Sequence, residues 1–117
     1  MIIAIDTGGT KTLLAGFSKE GKLLKSFEFQ TPKSQQKYLE IIEKVIKKEF
    51  SKQLKASEIQ AISCAEPGII ENGVILWAKN LRWQNFNVKA ELSKIFPNIK
   101  ILVENDANLA GLFESKK

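Results

Sequence analysis

Over its first 54 residues the chain changes hydrophobic period once, and that change decides what it can fold into. Residues 2–6, 12–17 and 23–30 are short, β-branched and apolar runs separated by the glycine-bearing stretches TGGTK and SKEGK. Runs of this kind on either side of glycine turns predict an antiparallel meander of three strands. From about Gln35 to Leu54 the apolar residues Tyr38, Leu39, Ile42, Val45, Ile46, Phe50 and Leu54 recur at helical spacing, with lysines and glutamates between them. That pattern predicts one long helix docked on the sheet by its apolar face. Further on, IQAISCAEPG reads as a buried strand stopped by Pro67-Gly68, and VKAELSKIF as a short helix ended near Pro97. IKILVEN is another strand, and DANLAGLFESKK starts a helix that runs to the last residue. The expected order is therefore β-β-β-α-β-α-β-α.

A strand, a long helix and a further strand require a crossover, which is right-handed and lays the later strands parallel to the first. The economical α/β solution is a ribonuclease H-like five-stranded mixed sheet, in spatial order 3-2-1-4-5, with flanking helices. At 117 residues the chain makes one domain, and a domain of this size buries roughly two thirds of its unfolded surface. One cysteine (Cys64), no histidine, and no apolar run of membrane-spanning length predict a cytoplasmic protein that engages no membrane. No disulfide and no Cys/His zinc site is possible within this chain. The net charge of +5 comes from lysines interleaved with glutamates, which predicts a solvated surface and no nucleic-acid partner.

In open α/β sheets ligands sit beyond the carboxyl ends of the parallel strands. Those ends carry Asp6, Glu66-Pro67-Gly68 and Glu104-Asn105-Asp106. Gly8 and Gly9 lack β-carbons and permit positive φ, so consecutive backbone N–H groups can face an anion at close range. Thr10 and Thr12 add hydroxyl donors and Lys11 a cation, while Asp6 behind them can hold a hydrated Mg²⁺ accompanying a phosphate. The plainer alternative is a tight hairpin whose Asp6 bonds its own turn. Likewise Asn105 or Asp106 can simply cap the last helix.

Four segments in order carry a resemblance that covers nearly the whole chain: IDTGGTKT, Thr31-Pro32 after the third strand, EPGIIENGVILWAKNLRW and VENDANLAGLFE. Together they resemble the N-terminal half of ROK-family sugar kinases of the actin and hexokinase superfamily. The resemblance implies ATP-dependent phosphorylation of a hexose or amino sugar. It implies Asp106 as general base toward the attacking sugar hydroxyl, and Asn80 and Asn105 as hydrogen-bond partners of sugar hydroxyls. Gly68 would let backbone approach the ring, and Glu66 would stand beside the sugar. Asp6, Gly8, Gly9, Thr10, Lys11 and Thr12 would manage ATP phosphates and Mg²⁺, with Asp6 acting on the metal through water. The departure from the family pattern lies at ISCAEPG, where the family usually has glycines near Ser63 and Ala65 and where Glu66 is bulky; it bears on which sugar is used.

The family continues into a second domain that supplies adenosine contacts, further sugar ligands and a zinc site, so the expectation is an N-terminal domain at residues 1–117, inactive by itself, within a complete kinase that is open to forming a homodimer. A start directly on the first strand, with no helix-turn-helix before it, favours a kinase over the family's repressors. Two other classes remain: a non-catalytic sugar-binding or regulatory remnant, and a nuclease of ribonuclease H fold with Asp6, Glu66 and Asp106 as ligands of two metals. For Glu66, pairing with a lysine is the structural alternative to contact with a sugar.

Overall fold

The computed structural model describes residues 1–105. Its main sheet has five strands in the order β3-β2-β1-β4-β8: β1 (Ile2–Thr7), β2 (Lys11–Phe17), β3 (Leu23–Gln30), β4 (Ala61–Ala65) and β8 (Lys100–Glu104). β1 pairs antiparallel with β2 and β2 with β3, whereas β4 runs parallel to both β1 and β8. This is the expected mixed sheet, its fifth member being β8. The final helix expected from Asp106 onward lies outside the described residues.

The crossover from β3 to β4 is made by α1 (Gln35–Glu49) and a short continuation, α2 (Ser51–Lys55). Ser34 caps α1 by accepting from the Lys37 N–H at 3.2 Å, satisfying one donor that the first turn leaves open. The expected single helix over residues 35–54 is interrupted at Phe50, with φ −124° and ψ 30°. Its ring meets Phe27 edge-on, with centroids 6.1 Å apart, beneath Gly16, where a β-carbon would come within 2.5 Å of it. Docking that ring wins over continuing the helix.

Ile3, Ile5, Leu14, Ile62 and Ile101 of the sheet share one core with Tyr38, Ile42 and Ile46 of α1 and with Val88 and Leu92 of α3 (Val88–Ile95). Each such side chain contributes about 1.5–3 kcal/mol by leaving water. α1 and α3 are thereby locked to the sheet.

Between β4 and α3 the chain forms a second, three-stranded antiparallel sheet that the apolar periods did not lead us to expect: β5 (Ile69–Glu71), β6 (Val74–Ala78) and β7 (Trp83–Phe86). β5 and β6 meet at Asn72-Gly73, with φ 53° and 82°. Two consecutive positive φ values fit a tight hairpin turn of the primed type.

Candidate functional site

The carboxyl ends of β1, β4 and β8 lie side by side, since Asp6 pairs with Ala65 and Ala65 with Glu104. Above them, Gly9, Pro67, Gly68, Ala78, Lys79, Asn80 and Leu81 line an open recess of about 310 Å³. The glycine hairpin, the Pro-Gly turn and the end of β6 thus converge on one place.

Gly68 is there because nothing larger fits. Its φ is +88°, and a β-carbon would stand 2.1 Å from the Trp77 carbonyl oxygen. Gly9 is there for a related reason, since a β-carbon would come within 3.1 Å of Asn80 Cβ. The expectation of positive φ at Gly8 and Gly9 is corrected, because among the described glycines only Gly21, Gly68 and Gly73 adopt it. What the two glycines supply is missing bulk. At Gly8 a β-carbon would lie 3.0 Å from the Lys11 carbonyl oxygen.

The hairpin closes with the Gly8 N–H donating to the Lys11 carbonyl at 2.9 Å. That donor is therefore turned inward, while the Gly9 and Thr10 N–H groups make no hydrogen bond among the described residues. Both flank a second open hollow lined by Gly9, Thr10, Gln30, Thr31, Pro32 and Lys33. The Lys11 ammonium leans on Glu28 at 3.8 Å with both side chains largely exposed, a pair that contributes little to stability and leaves the cation accessible. Asp6 is exposed at the end of β1, outside the recess wall, and its side chain makes no hydrogen bond or ion pair among the described residues; it does not bond its own turn. An accessible carboxylate next to unengaged amides suits a hydrated cation and its phosphate.

Thr12 is placed differently from a ligand. It is buried, and its hydroxyl meets that of Thr31 at 2.7 Å. With the Thr31 N–H donating to the Thr10 carbonyl at 2.9 Å, this contact ties the hairpin to the start of the α1 crossover.

Glu66 also departs from expectation. Strand alternation sends its side chain to the face opposite Asp6, where it is 1% exposed. Its Oε2 accepts from Tyr38 Oη at 2.7 Å and from Thr7 Oγ1 at 3.0 Å, and those two hydroxyls lie 2.6 Å apart. It does not line the recess, and the partners of its Oε2 are hydroxyl groups in place of a lysine. It also shares no metal site with Asp6, and no cluster of metal-binding side chains occurs among the described residues. Burial, and then the neighbouring Glu66, pushes the Tyr38 hydroxyl well above its ordinary value, with the Thr7 hydrogen bond acting the other way. The same two causes raise the Cys64 thiol. Tyr38 is accordingly held as a neutral donor.

Tyr38, Thr7 and Trp83 are the supporting residues that sequence reasoning missed. Tyr38 and Trp83 pack as tilted rings, 56° between planes and centroids 4.9 Å apart, and Trp83 Nε1 donates to the Lys33 carbonyl at 2.8 Å. Asn105 is exposed beyond β8, and Asp106 lies outside the described residues.

A mixed five-stranded sheet in this order, carrying a glycine hairpin and a Pro-Gly turn at the carboxyl ends of its strands, defines a ribonuclease H-like domain of the actin and hexokinase type. The chain belongs to the ROK family, whose model matches residues 2–117. It is 30% identical to a xylose repressor of Caldicellulosiruptor bescii over 97% of this chain and 29% of the repressor. Among solved structures it resembles a ROK glucokinase from Streptomyces griseus in complex with glucose and AMPPNP, with a TM-score of 0.73 and 26% identity over 94% of this chain and 34% of the glucokinase. It resembles an inorganic polyphosphate/ATP-glucomannokinase from Arthrobacter sp. strain KM with a TM-score of 0.72 and 32% identity, over 98% of this chain and 47% of that enzyme. The chain thus spans less than half the length of each. No helix among the described residues is long and apolar enough to cross a membrane.

Proposed function

We propose that this chain supplies the sugar-binding and phosphate-facing part of an ATP-dependent kinase for a hexose or amino sugar. The observation that carries the reading is the convergence of Gly9, Gly68 and Asn80 on one recess at the carboxyl ends of the parallel strands. Asn80 and Asn105 hydrogen-bond sugar hydroxyls, and Gly68 lets the main chain approach the ring. The N–H groups of Gly9 and Thr10, with the Lys11 ammonium, receive phosphate oxygens. Asp6 would hold Mg²⁺ through water, and the cation would supply charge neutralisation for the transferring group. Asp106 orients the attacking hydroxyl and takes its proton as the new O–P bond forms and the bond from the γ-phosphorus to the bridging oxygen breaks. Positioning and charge neutralisation dominate such a transfer, so a carboxylate of ordinary basicity is sufficient. Thr12 acts indirectly, holding the hairpin through Thr31.

A second reading, a sugar-responsive regulatory protein without turnover, is favoured by the likeness to the xylose repressor. Both follow from one experiment on the protein expressed from its complete reading frame: a panel of sugars tested for binding by calorimetry and for MgATP-dependent phosphorylation. Phosphorylation supports the kinase, and binding without turnover supports the regulator. No binding and no turnover with any sugar would sink both.

A further inference from the structure

The buried carboxylate of Glu66 does no work in the proposed chemistry, yet it occupies a costly place. A carboxylate taken out of water is tolerated only with good hydrogen-bond donors. Here the donors come from two separate elements. Thr7 is the last residue of β1, directly before the glycine hairpin, and Tyr38 lies in the first turn of α1. Glu66 itself directly precedes Pro67-Gly68. One carboxylate oxygen therefore gathers the base of the hairpin, the base of the Pro-Gly turn and the start of the crossover helix within 3.0 Å. The linkage continues past Tyr38, whose ring packs at a tilt against Trp83. Trp83 is paired across the small sheet with Ala78, two residues before Asn80. All three walls of the recess are thus tied to one buried point.

We propose that Glu66 is a positioning residue: through Thr7 and Tyr38 it holds the glycine hairpin and the Pro67-Gly68 turn at a fixed separation, and so sets the width of the recess that receives the sugar. The consequence for ligand binding rests on the kinase or sugar-binding reading above; the mechanical coupling does not.

The test uses the protein from its complete reading frame and three variants: Tyr38→Phe, Glu66→Leu and Glu66→Gln. Tyr38→Phe removes one donor and keeps the ring packed. Glu66→Gln keeps size and an acceptor oxygen, whereas Glu66→Leu keeps bulk alone. Hydrogen–deuterium exchange is followed in peptides covering residues 7–10, 66–69 and 88–95, and KM and kcat are measured for the best sugar. In Tyr38→Phe and Glu66→Leu, exchange in the first two peptides should rise together by about tenfold, a factor typical of losing a charge-assisted hydrogen bond, with residues 88–95 unchanged. The sugar KM should rise by a similar factor with a smaller change in kcat, and Glu66→Gln should restore both readouts to within about threefold of wild type.

Loops that exchange as in wild type overturn the proposal. So does a uniform rise across all three peptides, which marks a general loss of stability. Loosened loops with an unchanged sugar KM overturn it too, because the network would then hold the loops without serving the recess. A wild-type protein that engages no sugar sinks the functional reading instead, and the exchange data then decide the coupling alone.

Discussion

Gly68 lies directly under the main chain of Trp77, so that a β-carbon at position 68 would stand 2.1 Å from the Trp77 carbonyl oxygen. The contact brings the Pro-Gly turn against the end of β6, and the recess exists because the two backbones approach this closely. A side chain here must displace main chain.

Gly68→Ala should therefore destabilise the fold by about 2–4 kcal/mol, combining positive-φ strain with a backbone clash. Gly21→Ala is the control, because Gly21 also has positive φ, +85°, but a β-carbon there meets nothing within 4 Å. Its cost should stay near the roughly 1–2 kcal/mol of left-handed strain alone. Urea unfolding of both variants checks the comparison; equal losses would show that the Trp77 contact is unimportant.

Gly9→Ala probes the other wall. With φ outside the left-handed range and Asn80 Cβ 3.1 Å from the added carbon, the exposed segment that carries Asn80 must give by a few tenths of an ångström. Stability should change by less than about 1 kcal/mol. Sugar affinity should fall by about tenfold if Asn80 is a ligand, as calorimetry would measure. A folded Gly9→Ala protein with unaltered affinity would separate Asn80 from sugar binding.

Stability should fall above about pH 9, and the sign follows from two raised pKa values. The Cys64 thiol and the Tyr38 hydroxyl are pushed above ordinary values of 9.0 and 10.0 in the fold. Below those values both groups are protonated in folded and unfolded chains alike, so the stability is fully present. As pH rises past them the unfolded chain loses protons that the folded chain keeps, and stability declines by about 1.4 kcal/mol per pH unit per group. Denaturant unfolding between pH 7 and 10.5 measures this. Cys64→Ala should remove the part of the decline that begins near 9, and a flat profile in wild type would contradict the burial of both groups.

Asp106→Asn separates catalysis from capping, since Asn caps helices about as well as Asp. Stability should change by less than about 1 kcal/mol. If Asp106 takes the proton, kcat at saturating sugar and MgATP should fall by roughly 10²–10⁴ with sugar affinity little altered. Near-normal kcat in the folded variant would leave the cap as the whole explanation of Asp106.

The order of the main sheet was legible in the chain because it follows from local periods and one chirality rule: a meander from residues 2–30, then a long helix that can only cross over to a parallel strand. The placement of Asp6, Pro67-Gly68 and Asn105 at carboxyl ends came with it. The small sheet was also written locally, in Asn72-Gly73 flanked by apolar runs, but its strands are short and half buried, so the period-two signal is weak beside that of β1. Tertiary structure alone decided the remainder. Alternation says that Glu66 and Asp6 face opposite ways, but only the packing of α1 makes the Glu66 side the closed one and supplies Tyr38 as its donor. Gly9 and Asn80 are far apart in sequence, and their approach depends on how β6 ends above the hairpin. The same holds for Thr12, whose hydroxyl is kept from the surface by Thr31. Local periodicity reports which element a residue joins; which groups then compete for its polar atoms depends on neighbours distant along the chain.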